Sequence, residues 1–177
     1  MIEVFPDCYL YNHQAYVDER GYFLKTFHPS FFSKQFILAE QFVTTSKSNV
    51  VRGMHLQTPP HAQYKTVTCI AGQVIDVVLD LRCDSPTFKH HYSFEMSTHS
   101  ESILIPPGVC HGFASIVEQS TLLYNVTKCY SPTHDTGVAY ESFGFDWPFP
   151  NPVLSQRDKT LPHIEEFLSQ NKLFIVP

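Results

Sequence analysis

No apolar run in this sequence approaches the roughly 20 residues a membrane-spanning helix needs, so no transmembrane segment is expected. The first residues, Met1 to Asp7, lack a basic stretch followed by an apolar core, and no signal peptide is expected either. Cysteines are few, odd in number and scattered: Cys8, Cys69, Cys83, Cys110 and Cys129 never form a C-x-x-C pair. That pattern argues against a disulfide framework or a zinc knuckle and for reduced thiols in a cytoplasmic protein. Positive charge is also scarce, with 12 Lys and Arg against 17 Asp and Glu. A nucleic-acid binder, which neutralises phosphates with clustered cations, is therefore not expected. A single nucleotide is compatible with the charge, because two or three local cations suffice for a diphosphate. Repeats and low-complexity tracts are absent as well.

What the chain does have is aromatic residues, 15 Phe and 9 Tyr, together with 13 Pro. Both favour strands separated by tight turns over long helices. Short apolar runs alternate with turn signals throughout. The clearest strand pair is Tyr64–Ile70, a turn at Ala71-Gly72, then Val74–Arg82. Along its second strand Ile75, Val77, Leu79 and Leu81 share one face, and Asp76, Val78, Asp80 and Arg82 share the other. Further strands are expected at Val4–Tyr11, Ala15–Phe27, Phe88–Glu95, Ser102–Ile105, His111–Val117 and Leu122–Tyr130. Helical signals are limited to Ser30–Phe36, and to Pro162–Leu168 with its proline at a first turn. The expected fold is all-β: one domain over residues 1–177, an antiparallel β-sandwich or jelly roll with a few short helices.

Four segments carry polar residues that strand formation does not ask for. In Arg52-Gly53-Met54-His55-Leu56-Gln57, an extended chain puts His55 and Gln57 on one face. Lys65 shares a face with Val67 and Cys69; such a lysine either snorkels to solvent or stands in a cavity as a cation for an anion. His111 follows the turn Pro106-Pro107-Gly108. Tyr124, Val126, Lys128 and Tyr130 share one face of the last strand, where core packing is the ordinary role for tyrosine. His55-x-Gln57 followed by Pro107-Gly108-x-x-His111 resembles the two half-motifs of the cupin superfamily, and points to a cupin-type jelly roll. Gln57 stands where a metal-binding cupin has its second histidine, and no carboxylate follows until Asp76. Zinc, iron or manganese wants three or four imidazole or carboxylate ligands, so a metal-free site is expected.

The sequence also resembles the dTDP-4-dehydrorhamnose 3,5-epimerase family over nearly its whole length. The segments that carry the resemblance include Asp18-Glu19-Arg20-Gly21-Tyr22-Phe23, Arg52 to Gln57, Gln63-Tyr64-Lys65 and Asp80-Leu81-Arg82. Further along come Ser85-Pro86-Thr87-Phe88, Ile105-Pro106-Pro107-Gly108, His111-Gly112-Phe113, Trp147-Pro148 and Leu154-Ser155-Gln156-Arg157-Asp158. The resemblance implies a jelly-roll core, a homodimer, no cofactor, and a nucleotide-linked 4-keto-6-deoxyhexose as substrate. It further implies that His55 is the catalytic base and Asp158 the carboxylate that orients it. Lys65 is then the cation near the enolate oxygen, and Tyr124 the acid on the far face. For substrate binding it implies Arg20, Arg52 and His111 on the nucleotide and diphosphate, Tyr130 stacked near the sugar nucleotide, and Gln57, Asp135 and Arg157 beside them.

Two features temper a simple transfer. Arg52 and His55 are three residues apart, so a regular strand points them to opposite faces. A bulge or twist is needed if both line one cavity, and Gly53 is the natural place. In addition, Lys25 stands where the family usually has Glu, and Phe42-Val43-Thr44-Thr45-Ser46-Lys47-Ser48-Asn49 replaces a Gln-rich, Asn-containing stretch. Alternatives are therefore a 3- or 5-epimerase acting on a CDP- or GDP-4-keto sugar, a metal-dependent cupin isomerase or oxygenase using His55, Gln57 and His111, and a catalytically silent sugar-binding jelly roll.

Overall fold

A computed structural model of the chain describes residues 1–28, 36–98 and 101–171. The first strands are β1 (Ile2–Phe5), β2 (Cys8–Asn12), β3 (Ala15–Asp18), β4 (Gly21–Leu24) and β5 (Glu40–Ser46). They are followed by β6 (Val50–Gln57), β7 (Lys65–Ala71), β8 (Gln73–Asp80), β9 (His91–Ser97) and β10 (Glu101–Ile105). The last are β11 (Val109–Ser115), β12 (Ser120–Val126) and β13 (Asp135–Gly137). A 3₁₀ turn at Asp158–Thr160 and one helix, α1 (Ile164–Gln170), come after them.

A six-stranded sheet in the order β1-β2-β10-β7-β12-β5 faces a five-stranded sheet in the order β13-β6-β11-β8-β9. Every ladder in both sheets is antiparallel, and the result is the expected cupin-like jelly roll. The pair β3-β4 forms a separate ribbon that joins neither sheet. The two strands expected on either side of Ala71-Gly72 are β7 and β8, but they do not pair with each other. Strand β7 lies in the six-stranded sheet and β8 in the five-stranded one, and the chain crosses between the sheets at Gly72, which is in the left-handed region, φ 82°. The C-terminal helix is present, two residues later than expected at each end. The helix expected over Ser30–Phe36 lies, apart from Phe36, outside the described residues.

Several boundaries differ from the sequence pattern for local reasons. The expected Val4–Tyr11 strand is the hairpin β1–β2, turned at Pro6-Asp7, where Asp7 takes a positive φ of 65°. The expected Ala15–Phe27 strand folds back at Asp18-Glu19-Arg20-Gly21, where the Asp18 carboxylate accepts from the Arg20 backbone N–H. Phe88 belongs to a turn instead of a strand, because Asp80 and its neighbours draw residues 82–90 into successive tight hydrogen-bonded turns. The strand expected over Leu122–Tyr130 stops at Val126: Thr127 N–H still reaches the Tyr64 carbonyl, but Tyr64 N–H bonds to the Thr127 hydroxyl instead of to its carbonyl. Strand β5 has no apolar alternation to announce it; it exists because its backbone pairs with β12 along the sheet edge.

The main core lies between the sheets and includes Phe5, Leu10, Val67, Val78, Ile103, Ile105, Phe113 and Leu122. A second cluster covers the outer face of the five-stranded sheet, where Val77, Leu79 and Leu81 meet Met54, Val138, Ile164 and Phe167. Phe167 is fully buried there, and a side chain of this kind contributes about 1.5–3 kcal/mol on burial. Strand β8 is thus buried on both faces. Its apolar face packs under the C-terminal segment, and its mixed face, with Asp76 and Asp80, points inward.

Candidate active site

The site begins with an irregularity in β6. Its register with β11 pairs His55 with His111 but Arg52 with Phe113, so one extra residue sits on β6. That is the bulge the spacing of Arg52 and His55 demanded. Gly53 occupies it with φ 133°. A Cβ at Gly53 would lie 2.5 Å from the Gly112 Cα, so the two backbones approach as only glycine allows.

With that correction of phase, Arg52 and His55 both face a cavity of about 290 Å³ between the sheets. The six-stranded sheet supplies Phe42, Thr44, Lys65, Tyr124 and Val126 to its walls. Arg52, His55, Gln57, His111 and Phe113 come from the facing sheet. Tyr130, Asp135, Arg157 and Asp158 complete it from loops and from β13. Of the residues expected from the sequence, the cavity gathers all but Arg20. Arg20 sits in the β3–β4 turn with its side chain 83% exposed, ion-paired to Asp18.

His55 Nε2–H donates to Asp158 Oδ1 at 2.6 Å. Asp158 is buried and is itself held by Ser155, whose Oγ accepts from the Asp158 backbone N–H. Burial pushes the His55 pKa below that of a free imidazole, against the upward pull of Asp158. On Asp158 burial acts upward, but the hydrogen bond from His55 and the nearby Arg157 outweigh it and keep the carboxyl below its ordinary range. The outcome is a neutral imidazole with Nε2 engaged and the Nδ1 lone pair available. A hydrogen bond to a charged group such as this carboxylate contributes about 1.5–3 kcal/mol.

Lys65 opens β7, and its Nζ donates to the His55 carbonyl at 3.3 Å. Burial lowers its pKa, while Asp135 and Asp76 act in the opposite direction. An ammonium so placed gains strongly from an anion beside it. Tyr124, on β12, is 6% exposed. Burial raises its phenol well above the ordinary value, so it stays protonated through the neutral range. Its ring meets the His111 ring edge-on at 6.0 Å, and His111 Nε2–H donates to the buried Asp76 at 2.8 Å.

The remaining expected residues divide by what they already hold. Arg52 donates to Ser46 Oγ and to the Thr45 carbonyl while facing the cavity. Arg157 pairs with Asp135 at 2.7 Å on the cavity wall. Tyr130 is 61% exposed at the mouth, with its backbone N–H donating to Glu40. Gln57 is buried and spends its amide on the chain: Nε2 donates to the His61 and Cys129 carbonyls, and Oε1 accepts from Ser131 N–H at 2.6 Å. It ties the Tyr130 loop to β6.

Those commitments bear on a metal-dependent site. The His55 and His111 rings are each engaged with a carboxylate, and the Gln57 amide is fully used. Among the described residues no group of three or more His, Cys, Asp or Glu is arranged to hold a metal ion.

Sequence reasoning missed Glu40, Phe42, Thr44, Lys128 and Asp76. Lys128 had a signal, since it shares the face of Tyr124 and Tyr130, and it lines the cavity mouth. The three β5 residues had none, because their strand carries no recognisable pattern.

The chain matches the family model described as dTDP-4-dehydrorhamnose 3,5-epimerase over residues 3–166. It is 34% identical over 171 residues to the dTDP-4-dehydrorhamnose 3,5-epimerase of Salmonella typhimurium, covering 92% of this chain and 93% of that one. It is 36% identical over 149 residues to the dTDP-4-dehydrorhamnose 3-epimerase of Streptomyces niveus, covering 80% and 72%. The crystal structure of the 3,5-epimerase from Bacillus anthracis, with TDP and pyrophosphate bound, superposes with a TM-score of 0.89 at 31% identity, covering 93% of this chain and 98% of that one.

Proposed function

The chain belongs to the dTDP-4-dehydrorhamnose 3,5-epimerase family, and from that premise we propose how its cavity inverts carbon centres beside the ketone of a dTDP-linked 4-keto-6-deoxyhexose. The enzyme is an isomerase of deoxysugar biosynthesis. One observation carries the mechanism: the base and the acid come from opposing sheets. His55 stands on β6 and Tyr124 on β12, both directed into the same cavity.

A sugar ring between the two sheets presents one face to His55 and the other to Tyr124. The C4 ketone acidifies the hydrogens at C3 and C5, because the carbanion left behind is an enolate. His55 Nδ1 takes the proton; the C–H electron pair becomes the enolate double bond, and the charge moves to O4. Lys65 holds that oxygen as an ammonium, stabilising charge that exists only after abstraction. The Tyr124 O–H then gives its proton to carbon from the opposite face, and the centre is inverted. Asp158 keeps the His55 tautomer fixed and stabilises the imidazolium formed. Proton transfer, orientation and one cation account for the chemistry, so no cofactor is needed.

For the diphosphate, Arg52 and Lys128 supply cations at the cavity, and among the described residues Lys128 forms no ion pair. Arg20 serves the same purpose from a second copy of the chain. Its ribbon belongs to neither sheet, and it exposes Tyr16, Val17, Tyr22 and Phe23, an apolar surface suited to lying against another subunit. The working form is then a homodimer in which each ribbon completes its partner's nucleotide site.

The test is solvent-deuterium incorporation into a dTDP-4-keto-6-deoxyhexose, repeated with CDP- and GDP-linked sugars. Label at C3, C5 or both is the expected result, and the labelled positions show which centres invert. Absence of label in every sugar would falsify proton abstraction by this site.

A further inference from the structure

Phe42 is out of place in its strand. β5 reads Glu-Gln-Phe-Val-Thr-Thr-Ser and forms the edge of the six-stranded sheet, where a polar side chain at the cavity mouth would cost nothing. Phe42 is 41% exposed, so its ring gains only part of the burial that normally justifies a phenylalanine. What it does instead is cover Tyr124. The two residues are direct cross-strand partners in the β5–β12 register. Their rings stack with centroids 4.7 Å apart and planes only 9° from parallel.

The other sides of the Tyr124 ring are also held. His111 meets it edge-on and is fixed by Asp76 behind it. Thr44, two residues along β5, lines the same cavity beside it. Of these neighbours Phe42 is the one that is itself partly exposed, and its stacked ring covers a face of the Tyr124 ring. Without it, the phenol is free to pivot into the mouth, away from the carbon it must protonate.

We propose that Phe42 is a positioning residue for Tyr124, and that the stack sets how often proton abstraction ends in inversion. The inference rests on the functional reading above, in which Tyr124 is the acid. Once His55 has removed the proton and the electron pair lies in the enolate, two outcomes compete. Protonation by the Tyr124 O–H forms the new C–H bond on the far face and leaves the phenolate to be reprotonated by water. Return of a proton from the His55 imidazolium, after exchange with solvent, re-forms the original configuration. The first inverts and exchanges; the second exchanges alone. A displaced Tyr124 favours the second without touching the base.

The experiment measures deuterium incorporation and inversion together, in D2O, with a single isomer of a dTDP-4-keto-6-deoxyhexose, for wild type, Phe42→Ala and Phe42→Tyr. In Phe42→Ala the ratio of inversion to exchange is expected to fall on the order of 10-fold, within the 10²-fold that misplacing a reacting group can cost. Phe42→Tyr, which keeps the flat ring, is expected to retain the wild-type ratio. An unchanged ratio in Phe42→Ala, or an equal fall in Phe42→Tyr, overturns the proposal while leaving the epimerase reading intact. A wild type that exchanges nothing overturns that reading instead. A second measurement needs no turnover: NMR of ¹³C-labelled tyrosine rings in the ligand-free protein. Tyr124 should be conformationally fixed in wild type and Phe42→Tyr and mobile in Phe42→Ala. A fixed ring in Phe42→Ala defeats the proposal whatever the activity shows.

Discussion

His55 and Asp158 are 103 residues apart in the chain and joined by a hydrogen bond of 2.6 Å. The first lies on a strand of the five-stranded sheet, the second in the 3₁₀ turn that leads to the C-terminal helix. The proposed base is therefore oriented by a segment whose own place depends on packing against the outside of that sheet. His55→Ala should lower turnover by on the order of 10²–10⁴, the usual contribution of a general base. Asp158→Asn should cost less, up to about 10²-fold, because the imidazole survives but loses its orientation. Steady-state rates of deuterium wash-in measure both, and near-full activity in His55→Ala would exclude it as the base.

The shifted groups fix the shape of the pH profile. Burial depresses His55, so the neutral base persists as pH falls past the ordinary imidazole value of about 6.5. The acid limb of kcat/KM should thus lie below that value. Asp158→Asn removes the charge that raises His55, so the limb should move further down. On the alkaline side, burial lowers Lys65 and raises Tyr124, so Lys65 loses its proton first. The alkaline limb should fall below the ordinary lysine value of about 10.4. Lys65→Arg, which cannot deprotonate in this range, should abolish that limb whatever rate remains. An alkaline limb that survives in Lys65→Arg assigns it to another group.

The jelly roll and ten of the nineteen cavity-lining residues were legible in the sequence, but for unequal reasons. Alternation revealed β7, β8 and β12, where one or both faces are buried. It failed for β5, an edge strand of polar residues whose existence depends on its partner β12. The phase conflict between Arg52 and His55 was visible, and so was the glycine able to resolve it, because a bulge shifts side-chain direction by one residue. The role of Gln57 was not legible. Its type and spacing suggested a ligand or substrate contact, and only the fold shows its amide committed to the Cys129 and Ser131 backbone. Asp76 was hidden because it alternates with apolar neighbours, and the face it shares points inward instead of to water.

Gln57 yields a stability prediction with a kinetic companion. Gln57→Leu leaves the buried Ser131 N–H and two carbonyls without their partner, a loss of about 1–3 kcal/mol. For a chain of this size that lowers Tm by roughly 2–4 °C per kcal/mol. Tyr130 rides on the loosened loop, so KM for the sugar nucleotide should rise more than kcat falls. Thermal unfolding and steady-state kinetics on one preparation test both parts. An unchanged Tm would show that the Gln57 bonds do not support the loop.

Asp80 and Arg82 separate stability from catalysis. Both are fully buried; Arg82 donates to Asp80 through Nε and Nη2 and to the Pro6 carbonyl through Nη1. Ser85 and Thr87 hydroxyls also donate to Asp80. Burial works to raise the Asp80 pKa, but the bonds from Arg82, Ser85 and Thr87 prevail and lower it. Asp80→Ala strands the guanidinium in the interior, which costs about 3–5 kcal/mol. Denaturant titration should show that loss, with activity per folded molecule close to wild type. Acidification acts in the same direction: because the native pKa is lowered, the contribution of Asp80 is complete above its ordinary value of about 3.9. It fades as pH drops through the lower native value.

Arg20 offers the sharpest test of the subunit arrangement, because its position inside one chain and its proposed role disagree. Within the chain it is paired with Asp18 in the β3–β4 turn and does not line the cavity. If it contacts the nucleotide of a second copy, Arg20→Ala should raise KM while leaving kcat near wild type, since the lost contact is equally present before and during proton transfer. The decisive measurement mixes two defective proteins under conditions of subunit exchange. A dimer of one Arg20→Ala chain and one His55→Ala chain contains one cavity with an intact His55 completed by an intact Arg20. The other cavity lacks both. At a substrate concentration too low for Arg20→Ala alone to turn over, activity should therefore reappear on mixing and track the fraction of hybrid dimer. If Arg20 serves its own chain instead, each cavity of the hybrid carries one defect and mixing restores nothing. A monomeric protein in sedimentation equilibrium would overturn the arrangement directly.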